Sequence, residues 1–304
     1  INPGKRWFDT KGRLIQAHSG GILSHRGRNY WYGEERTHGY FNKVGVSCYS
    51  SADLVGWRFE SIALPTPAFP ERFRETGVCE RPKVIYNAKT RKFVMWAHLD
   101  ADGYRHSNAG IAVADRPEGP FRFVKSYQPV SGQTFRDMNL LVDRDGSAYV
   151  FYSSENNATM YVVRLSDDYL SHQEPMVEGK TWARVHVNEW REAPAPFLHN
   201  GKVYLVTSGC TGWAPNEARV SMADRPLGPY RTLGNPIVGP GRLSTFGGQS
   251  TFVFEPPDAM SGEFVFMADR WNSEDLSDSR YLWLPFRIGP SGQVRISWQD
   301  TWKP

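Results

Sequence analysis

Three acidic residues and one amide recur at an almost constant interval along the chain. Glu80, Asp137, Glu192 and Gln249 are separated by 57, 55 and 57 residues. Each precedes a stretch rich in β-branched and aromatic residues, so side chains at this phase of a repeated unit would converge on one place. Crowding carboxylates together raises the pKa of at least one of them, which a general acid near neutral pH requires. Groups of this kind are used to cleave acetals.

The apolar stretches themselves belong to a repeated pattern. A β-rich run, a polar turn and an aromatic β-rich run occur five times, beginning at Gly20, Arg81, Asn139, Ala195 and Ser250. Each copy is typical of a hairpin, and each is followed by a weaker strand pair. Four-stranded units repeated every 40 to 60 residues or so predict an all-β fold, a five-bladed β-propeller. We expect residues 1–304 to form a single domain of this kind, with the phased polar residues at one mouth of its channel.

Composition argues against several other classes of protein. Aromatic residues make up 14% of the chain, and Gly and Pro number 28 and 21, which suits short strands joined by tight turns. The net charge of +4 is spread without a basic block, so we expect no nucleic-acid partner. No apolar run approaches the roughly 20 residues of a membrane-spanning helix, so we expect no membrane partner either. The sequence shows no metal-ligand spacing, phosphate loop or dinucleotide fingerprint, and we expect neither a metal nor a cofactor.

Longer motifs point to a known family. They include ERPKVIYN from Glu80, DMNLLVDRDG from Asp137, REAPAPF from Arg191, TSGCTGW from Thr207 and GQSTFVF from Gly248. These stretches, with others over nearly all of the chain, resemble glycoside hydrolase family 43, and most of all its exo-β-1,3-galactanase branch. The resemblance implies an inverting hydrolase that releases galactose from the non-reducing end of β-1,3-galactan, the backbone of arabinogalactan side chains.

The resemblance also implies roles for the phased residues. Glu192 is similar in position to the general acid, and Asp137 to the carboxylate that holds this acid and raises its pKa. The broader family has an Asp base in the first blade, where this chain has AHSGG from Ala17 and, like the galactanase branch, no acid. Either Gln249 or Glu80 could then handle the attacking water. We favour Gln249, by positioning the water or through an imidic tautomer, and assign Glu80 to a sugar hydroxyl. Inversion predicts roughly 6.5 to 9.5 Å between the acid and the water-handling group.

Further residues are expected to bind the sugar. By motif position, Tyr104 and Trp213 are similar to residues that line the galactose pocket in the family. Hydrogen bonds to sugar hydroxyls are assigned to Glu34, Arg81, Asn156, Asn157 and Thr211. The alternative for Trp213 is packing between blades, and the alternative for Glu34 is an inter-blade ion pair.

Other functions of the same fold stay open at this point. An α-L-arabinofuranosidase or β-xylosidase is one alternative, although the missing first-blade Asp argues against it. A non-catalytic glycan-binding propeller is another, but a pure binder has no need to keep Glu192 together with Asp137 and Glu80. A propeller used only for protein contacts would leave the phased carboxylates unexplained. We expect a monomeric, secreted or periplasmic enzyme whose partner is a polysaccharide substrate.

Overall fold

Five β-sheets form the fold in the computed structural model, which describes residues 1–257 and 259–304. The first sheet contains β1 (His18–His25), β2 (Arg28–Glu34), β3 (Gly45–Ser51) and β4 (Arg58–Pro65). The second contains β5 (Val78–Asn87), β6 (Lys92–Asp100), β7 (Asn108–Ala114) and β8 (Arg122–Tyr127). The third contains β9 (Arg136–Val142), β10 (Ala148–Ser154), β11 (Thr159–Arg164) and β12 (Trp182–Val185).

The last two sheets complete the ring. The fourth contains β13 (Arg191–His199), β14 (Lys202–Gly209), β15 (Arg219–Ala223) and β16 (Arg231–Gly234). The fifth contains β17 (Ile237–Val238), β18 (Gln249–Phe254), β19 (Glu263–Arg270), β20 (Arg280–Ile288) and β21 (Val294–Ser297). Short 3-10 helices lie at Thr66–Ala68, Glu71–Phe73, Arg242–Gly247 and Leu276–Asp278. No helix in the described ranges is long and apolar enough to cross a membrane.

Each sheet is one blade of a five-bladed β-propeller, so the predicted all-β architecture is confirmed. Strands follow one another in antiparallel order within each blade, and β17 adds to the outer edge of the fifth blade in parallel with β21. The innermost strands are β1, β5, β9, β13 and β18, and each packs against the inner strands of its neighbours. The hairpins predicted from the repeat are therefore the inner strand pairs of the five blades.

Apolar side chains hold adjacent blades together. Each of five buried clusters draws its members from neighbouring blades. The cluster between the last blade and the first is the most tryptophan-rich, with Trp31, Trp57 and Trp283 all fully buried. Blade strands are covered on both faces, which explains why a strand such as β6 is buried almost throughout rather than alternating.

Polar side chains bridge the blades across the axis. Lys83 Nζ donates to the carbonyl oxygen of Ser19 at 2.7 Å. Asn139 Nδ2 donates to the carbonyl oxygens of Pro194 and Thr251 at 2.8 and 2.9 Å. All of these groups are buried, so the hydrogen bonds satisfy backbone carbonyls that the inner strands leave unpaired. Lys83 and Asn139 thus form a polar layer that closes the channel below its mouth.

An irregularity at the start of every inner strand re-aims the side chains located there. The pairing register shifts within the first residues of all five inner strands. In four of them a non-glycine residue takes a left-handed backbone, namely Ser19 (φ 47°), Arg81 (φ 53°), Asp137 (φ 40°) and Ala193 (φ 53°). Bulges of this kind kink a strand and change the direction of its side chains. The recurrence of this local geometry is the reason that residues of one phase meet at one mouth.

Candidate active site

A cavity of about 410 Å³ opens where the inner strands begin. Of the residues predicted from the sequence, its lining includes Glu34, Glu80, Arg81, Tyr104, Asp137, Asn157, Glu192, Trp213 and Gln249. Ser19, which is at the same phase in the first unit, also lines it, and the lining residues that the repeat did not indicate are Arg36, Tyr40, His98, Arg136, Cys210, Gly212 and Trp271. The phased residues of four blades therefore do share one cavity, and the first blade contributes Ser19 rather than a carboxylate.

Two residues predicted to bind substrate lie outside this lining. Asn156 is exposed, and its backbone N–H donates to Thr134 Oγ1 at 3.0 Å. Thr211 is also exposed, and its hydroxyl donates to the carbonyl oxygen of Ala214 and accepts from Asn216 Nδ2, both at 2.6 Å. These contacts organise the loops that carry the two residues. In the structure their neighbours Asn157 and Gly212 face the cavity instead.

Glu192 lies at the start of β13, is 7% exposed and is held by two amides. Gln249 Nε2 donates to Glu192 Oε1 at 2.7 Å, and Asn157 Nδ2 donates to Oε2 at 3.1 Å. Burial, and after it the negative charge of Asp137, raises the pKa of Glu192 to about 8. The carboxyl group is therefore mostly protonated at neutral pH, which is the state that a general acid requires.

The other carboxylates of the cavity have cationic partners. Arg81 Nε lies 3.0 Å from Asp137 Oδ1, and Arg36 Nε donates to Glu34 Oε2 at 2.8 Å. Within the described part of the chain, the hydrogen-bond partners of Glu192 are neutral groups. A buried carboxyl group without a paired cation keeps its proton more readily than one with such a pair.

Arg81 connects two of the phased residues, Asp137 and Gln249. In addition to its contact with Asp137, its Nη2 donates to Gln249 Oε1 at 2.6 Å and its Nη1 to the carbonyl oxygen of Ser250 at 3.0 Å. Trp271 Nε1 donates to the same Gln249 oxygen at 2.9 Å. Because both neighbours are donors, they fix which end of the Gln249 amide is oxygen. The amide nitrogen is thereby turned toward Glu192.

The distance between Glu192 and Gln249 differs from the prediction. The two side chains are in direct contact at 2.7 Å, whereas roughly 6.5 to 9.5 Å was predicted for the acid and the water-handling group. The repeat places both residues correctly at the starts of their inner strands. It contains no information about the side-chain conformation, which Arg81 and Trp271 determine through the amide oxygen.

Glu80 is fixed between a buried histidine and a tyrosine. Tyr104 donates its hydroxyl to Glu80 Oε1 at 2.7 Å. His98 Nδ1 lies 3.0 Å from Glu80 Oε2 without good hydrogen-bond alignment, and His98 Nε2 lies 3.2 Å from Asp100 Oδ2. Burial lowers the pKa of His98, but its close contacts with the two carboxylates and their negative charges outweigh burial and raise the pKa to about 9. Burial in turn raises the pKa of Glu80, but His98 and Arg36 hold it below its ordinary value. Glu80 is thus an ionised but weakly basic acceptor.

Glu34 joins the first blade to the second. Its Oε1 accepts the backbone N–H of Arg81 at 2.7 Å, and its Oε2 pairs with Arg36. Burial raises the pKa of Glu34, and the charge of Arg36 counteracts that rise. The ion pair of Glu34 thus lies within the first blade, and the contact that crosses to the second blade is a backbone hydrogen bond rather than the ion pair of the alternative interpretation. The side chain also lines the cavity.

Aromatic rings form one wall of the cavity. Trp213 is 40% exposed and meets Trp271 and Tyr40 edge to face, with ring centroids 5.2 and 6.1 Å away. The hydroxyl of Tyr40 donates to that of Tyr104, which ties this wall to Glu80. An indole of this exposure is available for the apolar face of a pyranose, and it lies outside the five buried clusters between blades, although it contacts rings of the first and fifth blades.

The donor atoms of Glu80, His98 and Asp137 lie within 4.8 Å of one another, which is close enough to consider a metal ion. These groups are already engaged, however. Both ring nitrogens of His98 face carboxylates, and Arg81 is paired with Asp137. A histidine held as an imidazolium has no lone pair to donate, so the set does not fit a metal site.

One lining residue missed from the sequence, His98, lies opposite a phased residue in the neighbouring strand. His98 pairs with Glu80 across β5 and β6. Trp271 follows Asp269, the partner of Gln249 across β18 and β19, by two residues. Counting outward from each hairpin turn to the end of the second strand could have found His98. Tyr40 and Arg136 follow no comparable rule, because they enter from a loop and from the residue beside Asp137.

The chain matches the family model described as Glycosyl hydrolases family 43 over residues 22–255. No curated protein matches it. Among solved structures, a family 43 β-1,3-galactosidase determined with galactodeoxynojirimycin is 41% identical, with a TM-score of 0.93 and 100% of both chains covered.

Two exo-β-1,3-galactanases are also similar. The enzyme from Phanerochaete chrysosporium, in a variant determined with β-1,3-galactotriose, is 33% identical with a TM-score of 0.90, and the match covers 100% of this chain and 68% of that one. The enzyme from Clostridium thermocellum is 33% identical with a TM-score of 0.89, and the match covers 99% of this chain and 65% of that one. The chain belongs to glycoside hydrolase family 43 and is a glycoside hydrolase.

Proposed function

We propose that the protein is an exo-β-1,3-galactanase that removes galactose from the non-reducing end of β-1,3-galactan with inversion. The observation that carries the proposal is Glu192, a buried carboxyl group that lines the cavity and whose pKa is raised to about 8. Similar proteins that are named as acting on β-1,3-linked galactose support the choice of substrate. A polymer of this kind is degraded outside the cytoplasm, so we place the enzyme in a secreted or periplasmic setting.

In this proposal Glu192 donates its proton to the glycosidic oxygen as the bond from that oxygen to the anomeric carbon breaks. The ionised Glu192 that results keeps its Asn157 donor, which stabilises a carboxylate better than a carboxylic acid. The charge on Asp137, held in place by Arg81, favours the protonated acid before the reaction. The residues around Glu192 thus set the pKa of the one proton that it donates.

The attacking water is assigned to Gln249 and a sugar hydroxyl to Glu80. Gln249 Oε1 already accepts from Arg81 and Trp271, so a tautomer with a proton on this oxygen would face two donors. The amide therefore orients water through its N–H rather than passing a proton through the imidic form. Orienting the water increases the rate even without a strong base, because the transition state is oxocarbenium-like and the new C–O bond forms before the water proton is lost to solvent.

Glu80 suits the sugar better than the water. It stays ionised because His98 and Arg36 outweigh its burial, and the same contacts make it a weak base. A carboxylate fixed by Tyr104 at Oε1 and by His98 at Oε2 offers its remaining lone pairs in a constant direction, which is what recognition of one hydroxyl needs.

Product analysis tests the substrate and the acid together. Wild-type protein should release galactose alone from linear β-1,3-galactan and nothing from arabinan or xylan. Glu192→Gln cannot donate the proton and should lose about 10²-fold or more in kcat. Glu263→Gln is the matched control, because it makes the same substitution at the first residue of β19, at the end of that strand far from Trp271. This variant should retain wild-type activity.

Other products would redirect the proposal. Arabinose or xylose as the sole product would keep the family and overturn the galactanase assignment. Binding of β-1,3-galactan by the wild type without release of sugar would indicate a glycan-binding propeller.

The pH profile tests why Glu192 is protonated. Its pKa is raised by burial and by Asp137, so kcat/KM, which reports the free enzyme, should fall as the pH rises through about 8, where the acid loses its proton. Asp137→Asn removes the second cause and should move this alkaline limb to lower pH, in addition to lowering kcat. Asp115→Asn, at an exposed ion pair with Lys92, should leave the limb in place. An alkaline limb that is the same in Asp137→Asn and the wild type would contradict the electrostatic role of Asp137.

The role of Gln249 predicts a change on substrate binding. A sugar ring must lie between the acid and the water, so the 2.7 Å contact between Gln249 and Glu192 must open to roughly 6.5 to 9.5 Å. A crystal structure of Glu192→Gln with β-1,3-galactobiose measures this separation. If residues 192 and 249 still touch with galactose bound, Gln249 holds the acid in place, and the role of handling the water belongs to Glu80.

A further inference from the structure

The loop of residues 186–190, between β12 and β13, presents an exposed tryptophan beside the acid. Trp190 is 56% exposed and belongs to none of the five apolar clusters formed by the described residues. It also takes a left-handed backbone with φ 52°, as do His186 and Asn188 with φ 50° and 56°. Bulky residues rarely adopt this conformation, and such strain concentrates at functional sites. Nothing in the packing of the blades requires an indole here.

Hydrogen bonds hold this loop in its conformation. The backbone N–H of Trp190 donates to the carbonyl oxygen of Ala158 at 3.2 Å, and that of Asn188 donates to Thr159 Oγ1 at 3.2 Å. Neighbouring side chains add His186 Nε2 to Ser221 Oγ at 2.9 Å and an ion pair of Glu189 with Arg219. The indole is therefore presented on a preorganised support, which lowers the entropy cost of binding to it.

The same contacts place Trp190 on the side of the cavity where a leaving group must lie. Trp190 precedes Glu192 by two residues, and its partner Ala158 is the neighbour of Asn157, which donates to Glu192 Oε2. The acid gives its proton to the oxygen that leaves with the rest of the chain. The galactosyl residues beyond the cleaved bond consequently leave the cavity on the side of Glu192 and Asn157, where the loop that carries Trp190 also lies.

We propose that Trp190 is the stacking platform of a subsite for a galactosyl residue of the leaving group. Its flat apolar face takes the C–H face of a β-1,3-linked galactopyranose outside the cavity, while Trp213 lines the interior. This inference rests on the proposed galactanase function and adds a contact that only oligomeric substrates can make. Trp190 would thus raise the preference of the enzyme for galactan over substrates without a leaving-group sugar.

Paired substrates test the platform. We expect Trp190→Ala to lower the ratio of kcat/KM for β-1,3-galactotriose to kcat/KM for β-galactosyl fluoride about tenfold, because the fluoride has no leaving-group sugar. Trp190→Phe keeps an aromatic face and should restore most of the ratio. Phe8→Ala removes an aromatic ring of similar exposure, 54%, on the N-terminal segment and should keep the wild-type ratio. A general loss of folded protein cancels in the ratio.

The outcomes separate the subsite from the function on which it rests. A Trp190→Ala ratio equal to that of the wild type overturns the platform and leaves the galactanase proposal intact. A wild type that releases no galactose from galactotriose overturns both.

Discussion

A buried carboxyl group without a cationic partner is the feature on which the chemistry of this site depends. Glu34, Asp137 and Glu80 are each held beside a cation, supplied by Arg36, Arg81 and His98. Glu192 is contacted instead by amides of Gln249 and Asn157. In a medium of low dielectric constant this difference decides which group keeps its proton, because an uncompensated charge is far more costly there than a paired one. The distribution of cations thus selects one acid among several carboxyl groups that are equivalent by position.

That distribution in turn depends on the propeller. Bulges at the starts of the inner strands turn the side chains of one phase toward the mouth, and Arg81 reaches from the second blade to Asp137 in the third and Gln249 in the fifth. Below them, Lys83 and Asn139 bind backbone carbonyls of other blades and close the channel. Because the contacts at the site cross blade boundaries, the geometry of the acid and the closure of the ring are coupled.

The cavity-lining residues that the sequence indicated and those that it missed have a common explanation. A repeat determines which strand carries a residue and at what phase, so Glu80, Asp137, Glu192 and Gln249 could be found by counting. His98 could have been found only through strand pairing, since it lies opposite Glu80 in β6. Side-chain conformation is set by neighbours from several blades. For that reason the direct contact of Gln249 with Glu192 and the outward placement of Asn156 and Thr211 could not be predicted from spacing.

The stereochemistry of the product tests the central claim most directly, namely that one protonated acid acts with an oriented water and without a covalent intermediate. Proton NMR during the first turnovers on β-1,3-galactotriose resolves the anomeric signals of the released galactose before mutarotation. The account predicts that α-galactose appears first, because water attacks the β-linked anomeric carbon from the face opposite the leaving oxygen. β-Galactose as the first product would contradict it, since retention requires a nucleophile that this arrangement of Glu192, Gln249 and Glu80 does not assign.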